Sequence, residues 1–275
     1  MVAAGIIFAS CNKVEPIPAA LQVEPFDFQT TTGQGSASEN IRLAWLFVDD
    51  QALGVYELPT DIQVLNSGNS DITLYPGIEE NGSSITPEIY PFYKPHITTA
   101  DLTEGESFLI NPTTEYVDNV EFAFLSGFEG GNLFGDDIDG NPQTAMRLTG
   151  DTVFEGSYSG YIQLTDGNKL IEVASTQKFD DLPRDLTPIF IELDYKNDVN
   201  FEVGIVALEN GTQLKVPKVT LRPQGEWNKV YISIDEELAV YPAADKFQLY
   251  FRCLLPDNVA EGNIYLDNIK LVHYK

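Results

Sequence analysis

The groups in this sequence best placed to do chemistry are carboxylates and aromatic rings. In ELDYKN, Glu192 and Asp194 stand at i and i+2, which on a strand points both to one face. Paired carboxyls are the working groups of retaining glycoside hydrolysis, about 5 to 5.5 Å apart across the sugar bond. In GDDIDGNP, Asp137, Asp139 and Asn141 alternate like the first oxygen ligands of an EF-hand calcium loop. That loop needs Gly at its sixth position and Glu at its twelfth, where Pro142 and Leu148 stand, so an acidic exposed loop is expected. His96 and His273 are too few for a typical zinc site, and no Cys-x-x-Cys accompanies them. The sequence has no Gly-x-Ser-x-Gly and no phosphate-cradling glycine loop. No enzyme chemistry is therefore expected, and no cofactor is required.

Aromatic side chains are the other route to a function, since they grip partners and stack on flat ligand faces. Tyr90, Phe92 and Tyr93 lie between prolines in EIYPFYKPH, either as an exposed contact surface or packed between folded units. Tyr158 and Tyr161 flank a Ser-Gly turn. These five are the binding candidates.

The charge balance narrows the partners. Forty-two acids against 16 bases give a net charge of -26. Phosphate binding needs clustered Lys and Arg, so nucleic acid is excluded as a partner, and docking on anionic lipid is disfavoured. Two cysteines make no disulfide framework. Cys253 alternates with Phe247, Leu249 and Phe251 on one strand face, the pattern of a small buried hydrophobe. Cys11 is left with no intramolecular purpose.

The elements that must position these groups are strands. Residues 41–115 carry β-rich runs around an Asp49-Asp50 turn, an alternating SDITLYPGI, and two short runs around Glu104-Gly105. Residues 116–275 carry eight further runs with Gly and Asp turns, and DEELAVYPAADK holds at most one helical turn. The fold expected is all-β: a small N-terminal β-sandwich followed by a C-terminal jelly-roll β-sandwich. Residues 11–40, rich in Pro, Gly, Ser and Thr, read as a flexible tether.

Four resemblances extend this reading. Phe8-Ala9-Ser10-Cys11, after an apolar run, resembles the lipobox of bacterial lipoproteins, with SCNK like those of the Bacteroidota. It implies a signal segment over residues 1–10, acylation of Cys11 and anchoring in the outer-membrane bilayer, facing the cell surface. WLFVDDQALGVYELP and NSGNSDITLYPGI resemble PEGA-type modules of bacterial surface proteins, also Ig-like. FEGGN, GSYSGYIQL, GEWNKVYISI and GNIYLDNIKL resemble carbohydrate-binding-module jelly rolls, the galactose-binding-like domains. That likeness implies a structural calcium ion between the chain ends of the sandwich, held by Glu129 and Asp267. Laminarinase-type jelly rolls carry Glu-x-Asp-x-x-Glu on one strand; Asn197 replaces the third acid, so their hydrolysis is not implied. Together these readings make a non-enzymatic, lipid-anchored envelope protein that binds another envelope protein as an accessory subunit, with surface glycan binding as the alternative.

Overall fold

The computed structural model describes residues 15–275. The lipobox-like run and Cys11 lie outside the described residues. The N-terminal unit holds ten strands: β1 (Ala19–Val23), β2 (Asp27–Gln29), β3 (Leu43–Val48), β4 (Gln51–Glu57), β5 (Thr60–Val64), β6 (Gly68–Glu79), β7 (Pro87–Ile89), β8 (His96–Leu102), β9 (Ser107–Ile110) and β10 (Thr113–Glu115). They form a five-stranded sheet, β4-β3-β6 with β7 and β8 both on β6, a three-stranded sheet β5-β1-β9, and the pair β10-β2. Asp49 and Asp50 both take positive φ in the β3–β4 turn, the left-handed geometry that a two-residue hairpin requires.

The expected tether is the main departure. Within residues 11–40, β1 pairs antiparallel with β5 and parallel with β9, and β2 pairs with β10. Leu21, Val23, Phe26 and Phe28 are buried. Burial of these apolar side chains outweighs the Pro and Gly content around them.

The C-terminal unit is a two-sheet jelly roll. Its strands are β11 (Val120–Ser126), β12 (Asp136–Asp137), β13 (Arg147–Thr149), β14 (Ser159–Thr165), β15 (Leu170–Ala174), β16 (Ile189–Asn197), β17 (Phe201–Glu209), β18 (Thr212–Leu221), β19 (Gln224–Ser233), β20 (Lys246–Leu254) and β21 (Glu261–Tyr274). One sheet runs β13-β14-β21-β16-β19 with β11 also on β21; the other runs β12-β15-β20-β17-β18. Inward residues such as Ile162, Leu193, Ile205, Phe251 and Leu266 fill the space between them. A single helical turn, α1 (Asp235–Val240), follows β19. The all-β expectation holds, as do the eight strands read from the second unit.

A second hydrophobic core, separate from the one inside the jelly roll, joins the two units. Phe190, Tyr231 and Val272, on the outer face of the β16, β19 and β21 sheet, pack with Tyr90, Phe92, Tyr93 and Tyr116. Tyr90 and Phe92 are wholly buried and Tyr93 is 3% exposed, so the proline-flanked aromatics join the units and present no free contact surface.

Candidate functional site

The paired carboxylates of β16 face this junction. Glu192 is fully buried and accepts the Tyr90 hydroxyl at 2.7 Å and the Tyr116 hydroxyl at 2.8 and 2.9 Å. Lys229 Nζ lies 3.3 Å from Glu192 in an ion pair without hydrogen-bond geometry. Lys270 Nζ donates to Ser36 O at 2.7 Å and to the Tyr116 hydroxyl at 3.0 Å. Burial pushes the Glu192 carboxyl up, but Lys229, Lys270 and the tyrosine hydroxyls outweigh it and hold it below the ordinary range. Burial lowers Lys270 to about 8 against the pull of Glu192. Asp194 accepts Ser38 Oγ at 2.7 Å and Asn268 Nδ2 at 2.9 Å. With no open space between them for a sugar, these acids bind the two units together.

Glu129 and Asp267 reach one loop from two sides. Glu129 Oε1 accepts the backbone amides of Ser157 and Tyr158 at 2.7 and 2.9 Å, which lower its pKa. Asp267 Oδ2 accepts those of Phe154 and Glu155 at 3.3 and 3.5 Å, and Oδ1 that of Asn268 at 2.9 Å. Burial nevertheless raises Asp267 to about 7. Calcium takes six to eight oxygens; Glu129 Oε1 and both Asp267 oxygens are committed to N–H donors, and no group of three or more His, Cys, Asp and Glu gathers among the described residues. Asp137, Asp139 and Asn141 likewise cap their own loop amides. Cys253 is buried in the core, its thiol pushed up to about 12 by burial.

The outer face of the β15, β20 and β17 sheet is polar but closed. Tyr250 is fully buried and donates to Glu172 at 2.7 Å, and Arg252 grips both Glu202 oxygens at 3.0 and 2.9 Å. Lys215, on the far edge strand, pairs with Glu172 on a diagonal that the register carries across Tyr250 and Gly204. On a flat sheet those positions would be about 19 Å apart, from three strand spacings and four residues of rise. The face is therefore dished and twisted, and its charges satisfy one another.

The open face lies at the other end of the first sheet. Register aligns Arg147 with Tyr161, Tyr161 with Tyr265, and Tyr265 with Lys196, one row across β13, β14, β21 and β16. The tyrosine rings stack with centroids 4.9 Å apart and planes 17° from parallel. Tyr161 donates its hydroxyl to Asn263 Oδ1 at 2.6 Å, and burial raises its pKa to about 12. Their neighbours Ile162, Ile264 and Leu266 point into the core, which fixes both rings outward. Gln163 and Asn263 face each other in the next row. A polar hollow of about 140 Å³ adjoins, lined by Gln143, Arg147, Tyr161, Gln163 and Asn168. Tyr158 is 45% exposed beside the Glu129 clamp, and Trp227 packs edge-on to Phe154 at 5.7 Å. Sequence reasoning named Tyr161 and missed Tyr265, Arg147 and Lys196. The alternation in NIYLDN marks Tyr265 as outward, but only the sheet register brings the four together.

No protein-family profile matches the chain, and no curated protein matches it. Among solved structures it is similar to a xylan-binding domain of carbohydrate-binding module family 22, at 16% identity and a TM-score of 0.38, covering 56% of this chain and 95% of that one. It is also similar to the family 11 carbohydrate-binding module of a cellulosomal cellulase from Clostridium thermocellum, at 14% identity and a TM-score of 0.40, covering 56% and 95%. A structure of promiscuous carbohydrate-binding modules of the β-sandwich superfamily covers 83% of this chain and 84% of that one, at 14% identity and a TM-score of 0.38.

Proposed function

We propose that the protein is a non-catalytic carbohydrate-binding protein of the cell envelope, holding glycan across the outward tyrosine row of its jelly roll. The observation that carries this reading is the stacked Tyr161/Tyr265 pair, turned out of the core beside the side-chain amides of Gln163 and Asn263. A sugar ring offers an apolar C–H face and a rim of hydroxyls. The first suits an aromatic plate, and the second suits amides, which both donate and accept. Because the rings already brace each other, little side-chain freedom is lost on binding. A glycan array probed with the full chain and with Tyr161→Ala tests the reading. Hits that vanish in the variant support it; no hit across plant, host and microbial glycans sinks it.

A second observation favours a protein partner. The outer face of the N-terminal five-stranded sheet aligns Val55 with Trp45 and Trp45 with Tyr75, and next to them Phe47 with Thr73 and Thr73 with Ile97. Leu53, Val55 and Ile97 are exposed and Phe47 packs edge-on to Tyr75 at 5.5 Å, an apolar face beside an edge strand. On this reading the protein is an accessory subunit of an envelope complex. An Ile97→Lys and Leu53→Lys variant would then lose a stoichiometric companion from detergent extracts, and unchanged recovery of that companion argues against it. Anchoring through acylated Cys11 belongs to both readings and rests on the lipobox-like run.

A further inference from the structure

The cations beside the tyrosine pair carry information about the ligand. In so acidic a chain, basic side chains find partners readily. Among the described residues, Arg42, Lys94, Lys169, Lys178, Lys215, Lys218, Lys229, Lys246 and Arg252 are in ion pairs. Arg184, Lys270 and Lys275 donate to backbone carbonyls. Arg147, Lys196 and Arg222 alone do neither, and two of these three stand at the ends of the tyrosine row.

We propose that this row binds an anionic polysaccharide, its charge carried as sugar carboxylates or as sulfate esters. The proposal rests on the carbohydrate reading above and adds the class of sugar. The row spans three strand spacings, about 14 Å, so a cation waits at each end of a row long enough for several linked rings, with the tyrosine pair at its centre. Arg147 is exposed on the edge strand, where its planar fork can take a carboxylate or sulfate by two parallel hydrogen bonds. Lys196, half-buried on β16, supplies a point charge at the other end. Acids flank the row without forming a salt bridge to either cation: Asp194 is held by Ser38 and Asn268 at 2.7 and 2.9 Å, and Glu226 lies in the β19 bulge that faces Lys196. Asp198 is held by the backbone and side-chain amides of Asn263 at 2.6 and 2.9 Å, and Glu261 by Gln163 at 2.9 Å, both past the row on the Asn263 side. The chain as a whole carries a net charge of -26, which disfavours polyanions on surface that lacks such unpaired cations.

The test is calorimetric titration of the full chain with two panels. One holds galacturonate, mannuronate and glucuronate oligosaccharides, each beside its carboxyl-reduced counterpart. The other holds sulfated oligosaccharides beside their desulfated forms. The expected result is at least about a tenfold preference for the charged member of one pair, as charge-assisted hydrogen bonds give. In the Arg147→Gln and Lys196→Gln double variant that ratio should fall close to one. Neither side chain has a partner in the fold, so an unchanged unfolding midpoint confirms that the double variant is folded. A preference in the first panel assigns carboxylate, and one in the second assigns sulfate. If the neutral members bind as well as the charged ones, or if the double variant keeps the preference, the proposal is overturned while the carbohydrate reading stands. If nothing in either panel or on a glycan array binds, both fall.

Discussion

Replacing Glu192 by Gln tests how the two units are held together. Glu192 is buried among Tyr90, Tyr116 and Lys229, and Lys229 is itself 2% exposed with no other acid in salt-bridge range. The amide keeps a hydrogen-bond acceptor for the tyrosines and removes the charge facing Lys229. Leaving one member of a buried pair uncompensated costs about 3 to 5 kcal/mol, a large share of the roughly 5 to 15 kcal/mol that holds a typical domain folded. For a chain of this size the melting midpoint should fall by about 5 to 9 °C. Urea denaturation followed by tryptophan fluorescence and by circular dichroism reads the loss, and because the junction core takes in Phe190, Tyr231 and Val272 of the jelly-roll sheet the two probes should report a single transition. A second variant, Glu192→Leu with Lys229→Met, removes both charges and should recover most of the loss. The pH dependence has a definite sign: the folded Glu192 pKa is depressed, so its contribution is complete above the ordinary carboxylate range and disappears as pH falls through the folded value. A loss below about 1 kcal/mol in the single variant, or a double variant no better than the single, would refute the reasoning.

Three further outcomes are expected. Asp267, raised from 3.8 to about 7, keeps a proton in the folded state that the unfolded chain has lost; stability contributed by this group should fall as pH rises from about 4 to 7, and Asp267→Asn should flatten that slope in denaturation midpoints. Gly160→Ala would place a methyl 2.5 Å from the Phe128 ring and 3.2 Å from Met146 Sδ, so it should cost about 1 to 3 kcal/mol in the same assay. Cys11→Ala should move the protein from the membrane to the soluble fraction, and a variant that stays on the membrane removes the case for a lipid anchor.

The jelly roll was legible because its strands are local patterns. Alternation in β16, β17, β20 and β21 is strong enough to read directly, whereas β18 was missed. Pro217 argues against a strand, yet β18 lies at the sheet edge, where a missing N–H is tolerated. Strands β1 and β2 were missed for another reason. They are short, and they are stabilised by parallel pairing with segments more than 80 residues away, such as Leu21 with Phe108. The same distance hid the candidate site. Tyr161 stood out beside its Ser-Gly turn, but its partner Tyr265 comes from the last strand and meets it only through the antiparallel register. The proline-flanked aromatics allow two readings from local sequence, and the structure shows why it does not choose between them. What buries Tyr90 and Phe92 is the outer face of a sheet formed a hundred residues later.

The central claim is that the tyrosine row binds glycan, and titration calorimetry with the strongest array ligand tests it most directly. Tyr161→Ala and Tyr265→Ala should each weaken binding by about tenfold or more, because each removes one of two stacked plates, with unfolding midpoints close to that of the parent chain. Affinity unchanged in both variants would contradict the account.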